Sequence, residues 1–327
     1  MVLRAAVIGA GRRGTTHTEA VGDLEDMAQV VGIADIDAAR GQTLVSASAP
    51  YGKAYTDAAA MLRETEPQIV YVTTPPPLHK EQVYAAFAVG ADVVLEKPIS
   101  LNNADADEIG EAAERMGRKI HICHQLRYAG GASEMRDLLR GQPVALSHIW
   151  NYRMAPDIPG NWNRNWGGGH VVEWGIHYLD LLRYVMDSEP VEVYARYTDN
   201  VLPGTPNWDN WDAYALTVQW ANGAVTGYAS TYALKPGIPS SAGLAIIARD
   251  GKAEFGWGGA TWTTPEGTQQ FTNSRGEGER ELSRAFLHAV STGDASRVRQ
   301  SFADAVKTHR FVMAANESAA SGRPVQL

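Results

Sequence analysis

Apolar residues in the first third of the chain fall in short runs, and stretches of helical periodicity separate them. Runs at 3–8, 29–34, 69–73, 92–95 and 119–123 predict strands, with a weaker one near Lys53-Ala54-Tyr55. Helical patterns fill 14–24, 37–47, 57–64, 79–89 and 102–117, with Asp57, and Asn102 or Asn103, placed to cap two of them. Strand and helix in alternation predict an α/β unit with a doubly wound parallel sheet. Past Arg127-Tyr128 the period changes to two. Alternating runs at 145–152, 191–197, 213–220, 224–232 and 244–248, separated by turns such as Ala221-Asn222-Gly223, predict a large open, mainly antiparallel sheet. One helix, Val171 to Met186, is embedded among these strands. Two more follow near 278–292 and 299–320, and 203–206 and 236–243 read as loops. The expected domains are 1–124 and 125–327, with the C-terminal helix free to pack back on the first.

Size and composition add limits to this picture. A chain of 327 residues exceeds one ordinary core, which agrees with two domains. A formal charge of −8 excludes the basic footprint of a nucleic-acid partner. The single cysteine, Cys123, rules out a disulfide within the chain and suits a reducing compartment. It sits in an apolar strand, where a buried inert thiol is expected. No apolar stretch approaches a membrane span, and the first residues lack a signal-peptide layout, so a cytoplasmic protein without a membrane partner is expected. The open face of the second sheet predicts a homodimer or homotetramer formed through it.

Chemistry enters at Gly9-Ala10-Gly11-Arg12-Arg13-Gly14, a glycine turn between the first strand and the first helix. Gly9 permits the turn, Gly11 admits a pyrophosphate to the backbone, and Gly14 lets helix and strand pack closely. The helix start offers free N–H groups to phosphate. Asp35, at the end of the next strand, is placed to accept from the adenosine ribose hydroxyls. These features predict a Rossmann dinucleotide-binding domain. A carboxylate at Asp35 repels the extra phosphate of NADP, so NAD is favoured over NADP. Arg12 and Arg13 suit phosphate of either cofactor or plain solvation. Glu96-Lys97-Pro98 follows a strand at the sheet edge where ligands bind, and Lys97 there can stabilise an alkoxide; alone it reads equally as a surface lysine before a turn proline. Pro98 is a candidate cis proline. Thr74-Pro75, leading to His79 at a helix start, lies at the same edge and reads as a cofactor-lining loop or a stiff connector. In Gly167-Gly168-Gly169 to Asp180, helical spacing sets Glu173 and His177 on one face with Asp180 bordering it, which suits a general base steadied by a carboxylate or, alone, a core histidine. No metal is expected, because neither HExxH nor a cysteine cluster is present. Trp162, Trp166, Trp208 and Trp211 cluster with Asn and Gly, as a sugar-facing surface or as loop aromatics.

These segments, in this order, resemble the glucose–fructose oxidoreductase / inositol dehydrogenase / MocA family over nearly the whole chain. The matching motifs are the glycine turn, Asp35, Thr74–His79, Glu96-Lys97-Pro98, and Gly167–His177. The resemblance implies an NAD(P)-dependent oxidoreductase acting on a secondary hydroxyl of a sugar, cyclitol or sugar derivative. It implies Lys97 in the catalytic position, His177 as acid/base, and Glu173 where the family carries an aspartate. It implies substrate contacts from Arg127 and Tyr128, and a polyol pocket drawn from Tyr152, Arg153, Trp162, Asn163 and Trp166. Two rival expectations are a glycoside-cleaving enzyme that retains NAD and works by oxidation and elimination, and a non-catalytic cofactor-binding regulator.

Overall fold

A computed structural model describes residues 2–155, 163–202, 208–256 and 258–327. The chain forms two units: Met1–Gln125 with Gly276–Val306, and Leu126–Arg275 with Lys307–Leu327. The segment 276–306 therefore groups with the first unit, not with the second as the sequence reading had it. The reason is packing within that unit: the helix Glu277–Thr292 lies against the helix Arg12–Gly22, and Phe286 stacks on His121.

The first unit holds a six-stranded parallel sheet: β1 (Leu3–Ile8), β2 (Ala28–Ala34), β3 (Lys53–Tyr55), β4 (Ile69–Val72), β5 (Asp92–Leu95) and β6 (Ile120–Ile122), in the order β3-β2-β1-β4-β5-β6. Strand order reverses between β1 and β4, and in open parallel sheets that reversal marks the strand ends where ligands bind. β4 and β5 are buried at every position, as strands covered on both faces must be. Local chemistry starts the helices. Asp57 accepts from the N–H groups of Ala59 and Ala60 at 2.8 and 3.2 Å, and Asn102 accepts from Asp105 N–H at 2.8 Å.

The second unit is built on a nine-stranded sheet. Its strands are β7 (Val144–Tyr152), β8 (Pro190–Thr198), β9 (Ala213–Trp220), β10 (Val225–Thr231), β11 (Ser241–Ala248), β12 (Lys252–Gly256), β13 (Gly259–Thr264), β14 (Gly267–Thr272) and β15 (Val325–Gln326). The order is β14-β13-β12-β11-β7-β10-β9-β8-β15, antiparallel except for the β7–β10 pair. Alternation on β9 turns Tyr214, Leu216, Val218 and Trp220 inward, and Trp220 meets Phe311 of the helix Phe302–Ser321 edge-on. The sequence reading left out β12 to β14. These strands are short, and β14 is exposed almost throughout, so no apolar stripe marks it. The helix Ala132–Leu139 was likewise unread, and β11 begins at Ser241, inside the expected 236–243 loop. The expected loop at 203–206 lies outside the described residues.

Val171–Met186 is not one uniform helix. Val171–Gly175 is a π-helical turn in which Ile176 N–H reaches back to the Val171 carbonyl, and α-helix follows over Ile176–Met186. Gly175 lies so close to Val171 that an added Cβ would stand 3.0 Å from its Cγ2.

Candidate functional site

In the first unit the glycine turn is closed on one side and open on the other. A Cβ on Gly14 would lie 1.9 Å from the Gly9 carbonyl oxygen, so only glycine lets helix and turn meet. Gly9 itself has φ +100°, and its carbonyl accepts from Thr73 Oγ1 at 2.8 Å. At Gly11 an added Cβ would meet nothing within 4 Å. Gly11 is also the N-cap of the helix Arg12–Gly22, and no side chain caps the N–H groups behind it. An uncapped helix start facing open space fits a pyrophosphate. Asp35 is fixed beside it: Oδ2 accepts from Ala10 N–H at 2.7 Å and Oδ1 from Asp37 N–H at 2.8 Å. Each oxygen keeps a lone pair for a ribose hydroxyl. Arg12 is exposed, whereas Arg13 is turned inward.

Glu96 anchors the next part of the site. It accepts from Arg13 Nε at 2.6 Å and faces His17 Nε2 at 2.8 Å, while Arg13 Nη1 donates to Glu279 at 2.9 Å. Burial by itself would raise the Glu96 carboxyl, but Arg13, His17 and Lys97 hold it well below the usual range. Cys123 lies 3.5 Å from His17 and is fully buried, and burial pushes its thiol well up. His17, Glu96 and Cys123 bring three ligand-type atoms within 4.8 Å of one another. The Arg13 cation already contacts both Glu96 and Cys123, which disfavours a second cation there. Lys97 follows, half-buried, with a cis peptide to Pro98. His79 is fully buried between the Thr74 carbonyl at 2.8 Å and the Pro98 and Ile99 carbonyls at 3.0 and 3.3 Å. Burial lowers its pKa, with those carbonyls opposing. It thus ties the Thr74-Pro75 loop to the turn after Lys97 instead of offering a free ring nitrogen.

In the second unit Glu173, Trp174 and His177 are each half-buried, along the π turn and the helix start after it. Glu173 Oε2 accepts from the hydroxyl of Tyr232 at 2.8 Å, and the Trp174 and His177 rings meet edge-on with centroids 6.0 Å apart. The Arg153 guanidinium carbon lies 3.5 Å from the centre of the Trp174 ring. Beneath them His170 is fully buried, facing Ser230 Oγ at 2.8 Å and the Trp211 carbonyl at 2.6 Å. Burial pushes its pKa down to about 4, with the Trp211 carbonyl and Asp212 opposing. Burial likewise raises the Tyr228 and Tyr232 hydroxyls, which stay neutral.

Other expected positions have structural partners. Arg127 and Asp180 are buried together, with Nε–Oδ2 at 2.7 Å and Nη2–Oδ1 at 2.8 Å, and Thr308 Oγ1 donates to Asp180 at 2.7 Å. Asp180 therefore turns into the core and does not border the Glu173 face. Tyr128 is buried, Tyr152 and Trp166 are exposed, and Asn163 caps the helix Arg164–Gly167 by accepting from Asn165 N–H at 2.8 Å. Trp211 stacks on Tyr197 at 4.4 Å, and Trp208 donates to Asp212. Trp162 lies outside the described residues. The sequence reading missed His17, Glu279, Asn151 and Tyr232. Only His17 left a signal, being one turn after Arg13 on the same helix.

Residues 3–124 match the family described as "Oxidoreductase family, NAD-binding Rossmann fold", and residues 135–253 match the GFO/IDH/MocA C-terminal domain. Over 174 residues the chain is 30% identical to 1,5-anhydro-D-fructose reductase of Ensifer adhaerens, which is 51% of this chain and 52% of that protein. Over 199 residues it is 31% identical to inositol 2-dehydrogenase of an Arthrobacter species, 59% of this chain and 57% of that protein. The chain thus spans little more than half the length of these two curated relatives. An oxidoreductase from Agrobacterium radiobacter, solved with NAD+, L-tartaric acid and magnesium, superposes with a TM-score of 0.84 over 100% of this chain and 98% of that one. At 22% identity this shows a shared fold.

Proposed function

Because the chain belongs to the GFO/IDH/MocA family of NAD-binding Rossmann oxidoreductases, we propose that it moves a hydride between NAD and a secondary hydroxyl of a sugar, cyclitol or sugar derivative. The observation that carries this reading is the turn at Gly9–Gly14, closed by Gly14 against Gly9 and open at Gly11 before an uncapped helix. NAD, when bound, supplies the hydride acceptor. Gly9, Ala10, Gly11 and Gly14 would hold its pyrophosphate, and Asp35 its ribose. Asp35 is pinned by two backbone N–H groups, and Arg40 beside it is shared with Asp37, at 3.7 and 3.6 Å. That arrangement supports NAD over NADP.

His177 would take the hydroxyl proton, with Glu173 setting its surroundings, and the Lys97 ammonium would steady the oxygen as charge develops. The relatives named above act on a sugar derivative and a cyclitol, which supports a polyol substrate. The test is NADH formation across sugars, cyclitols and glycosides with NAD+ and NADP+, using wild type, Lys97→Ala and His177→Ala. Turnover reduced about 10²–10⁴-fold in each variant is expected. Near wild-type turnover in both discards the roles. Glycoside cleavage without net NADH assigns oxidation and elimination instead. NAD binding without any turnover assigns a regulator.

The same reading places the enzyme in the cytoplasm as a self-associating protein. Leu146, Val225 and Ile247 are exposed neighbours across β10, β7 and β11, an apolar stripe suited to a second copy. Sedimentation showing only a 35 kDa species would reject self-association.

A further inference from the structure

Among the described residues of the candidate site, Arg153 has a geometry that points to a specific ligand chemistry. Its backbone is held on both sides, N–H donating to the Thr231 carbonyl at 3.0 Å and carbonyl accepting from Leu234 N–H at 3.2 Å. Its Nε donates to Asn151 Oδ1 at 2.9 Å, and fully buried Asn151 is itself fixed by donating to Ser230 Oγ at 3.2 Å. Stacking on Trp174 sets the plane of the guanidinium. With Nε used, the two terminal nitrogens form an oriented fork. Among the described residues they enter no hydrogen bond and no ion pair. The buried arginines of the same unit behave differently: Arg127 is met two-toothed by Asp180, and Arg183 by Glu189. Arg153 is partly stripped of water, yet its fork is kept for something else. Glu173, the carboxylate whose charge reaches it, is held by the Tyr232 hydroxyl.

We propose that the substrate carries a carboxylate, as a uronic acid does, and that the Arg153 fork receives it. The claim rests on the dehydrogenase reading for the rest of the substrate being a sugar. The Trp174 indole contacts both groups: the Arg153 guanidinium carbon lies 3.5 Å from its ring centre, and its ring meets the His177 imidazole edge-on with centroids 6.0 Å apart. A hexose bearing an acid at one end and a hydroxyl at the other would meet both groups around that indole. Asn151 orients the fork and Trp174 carries it, so both are positioning residues for the acid.

Calorimetry on NAD+-saturated protein tests this with two matched pairs, glucuronate with glucose and galacturonate with galactose. At least one acid is expected to bind about tenfold or more tightly than its neutral partner. Arg153→Ala should bring that ratio to within about threefold, and Arg153→Lys, which keeps charge without the fork, should leave part of it. Equal or tighter binding of both neutral sugars, a preference that survives Arg153→Ala, or no binding of either acid at millimolar concentration overturns the proposal. NADH formation is read separately. Acid preference without NADH rejects the dehydrogenase reading and leaves the acid site standing, whereas neutral-sugar oxidation without acid preference does the reverse.

Discussion

Glu96 in the first unit and Glu173 in the second are both carboxylates held by a neighbouring side chain, and they are built on opposite terms. Glu96 is buried, with Arg13 and His17 at hydrogen-bond distance and Lys97 adding its field, and a further carboxylate, Glu279, balances Arg13. Glu173 is half-exposed and meets a neutral Tyr232 hydroxyl, with the nearby cation of Arg153 directed elsewhere. The first arrangement settles its charges within the protein and holds a turn in shape. The second leaves its carboxylate half in solvent beside a neutral hydroxyl. Motif membership alone does not tell the two apart, since both residues lie in motifs; burial and the charge of the partner do.

Four measurements test that contrast. Glu173→Gln should lower turnover by about 10²-fold or more while leaving the urea midpoint near wild type. A large loss of stability there would make Glu173 a structural residue like Glu96. Glu96→Gln should do the opposite and cost about 3–5 kcal/mol of unfolding free energy, because Arg13 is left short of its buried counter-charge. Glu96 has a folded pKa below its unfolded one, so its contribution is present above pH ~4.3 and fades as pH falls toward the folded value. A flat acid limb in wild type would contradict the pairing.

His170 provides a third, slightly smaller effect. Its folded pKa of about 4 lies below the ~6.5 of an unfolded histidine, so protons favour the unfolded chain between those values. Stability is complete above pH ~6.5 and is lost by roughly 3 kcal/mol as pH falls to 4, and His170→Gln should flatten that stretch of the urea-midpoint profile. Tyr232→Phe is the mildest, at about 1–2 kcal/mol, from one hydrogen bond to a charged acceptor. Its diagnostic is the pH–rate profile, where a merely structural hydroxyl would shift stability and leave the apparent pKa of turnover in place.

Much of this was legible in the residues. Period-two and helical patterns located most elements of the first sheet and the central strands of the second, because alternation and amphipathicity are local consequences of burial on one side. The glycine turn, Asp35 and the cis bond before Pro98 were readable because backbone geometry near a turn depends on immediate neighbours. β14 escaped because an exposed edge strand needs no apolar face, and β12 and β13 because each buries only two side chains in a short run. Arg127, read as a substrate contact, and Asp180, read as bordering the Glu173 face, are paired in the core, and nothing within a few positions of either announces the other.

What the sequence determined by itself was the order of the elements, the cofactor turn and the set of polar residues available for chemistry. Only folding set which of those charges are paired inside the protein and which stay half in solvent. Arg13 meets Glu279 across 266 positions, and Tyr232 meets Glu173 across 59. Dihedral preference and periodicity act between neighbours, whereas desolvation and charge pairing act through space, and only the folded chain sets those distances.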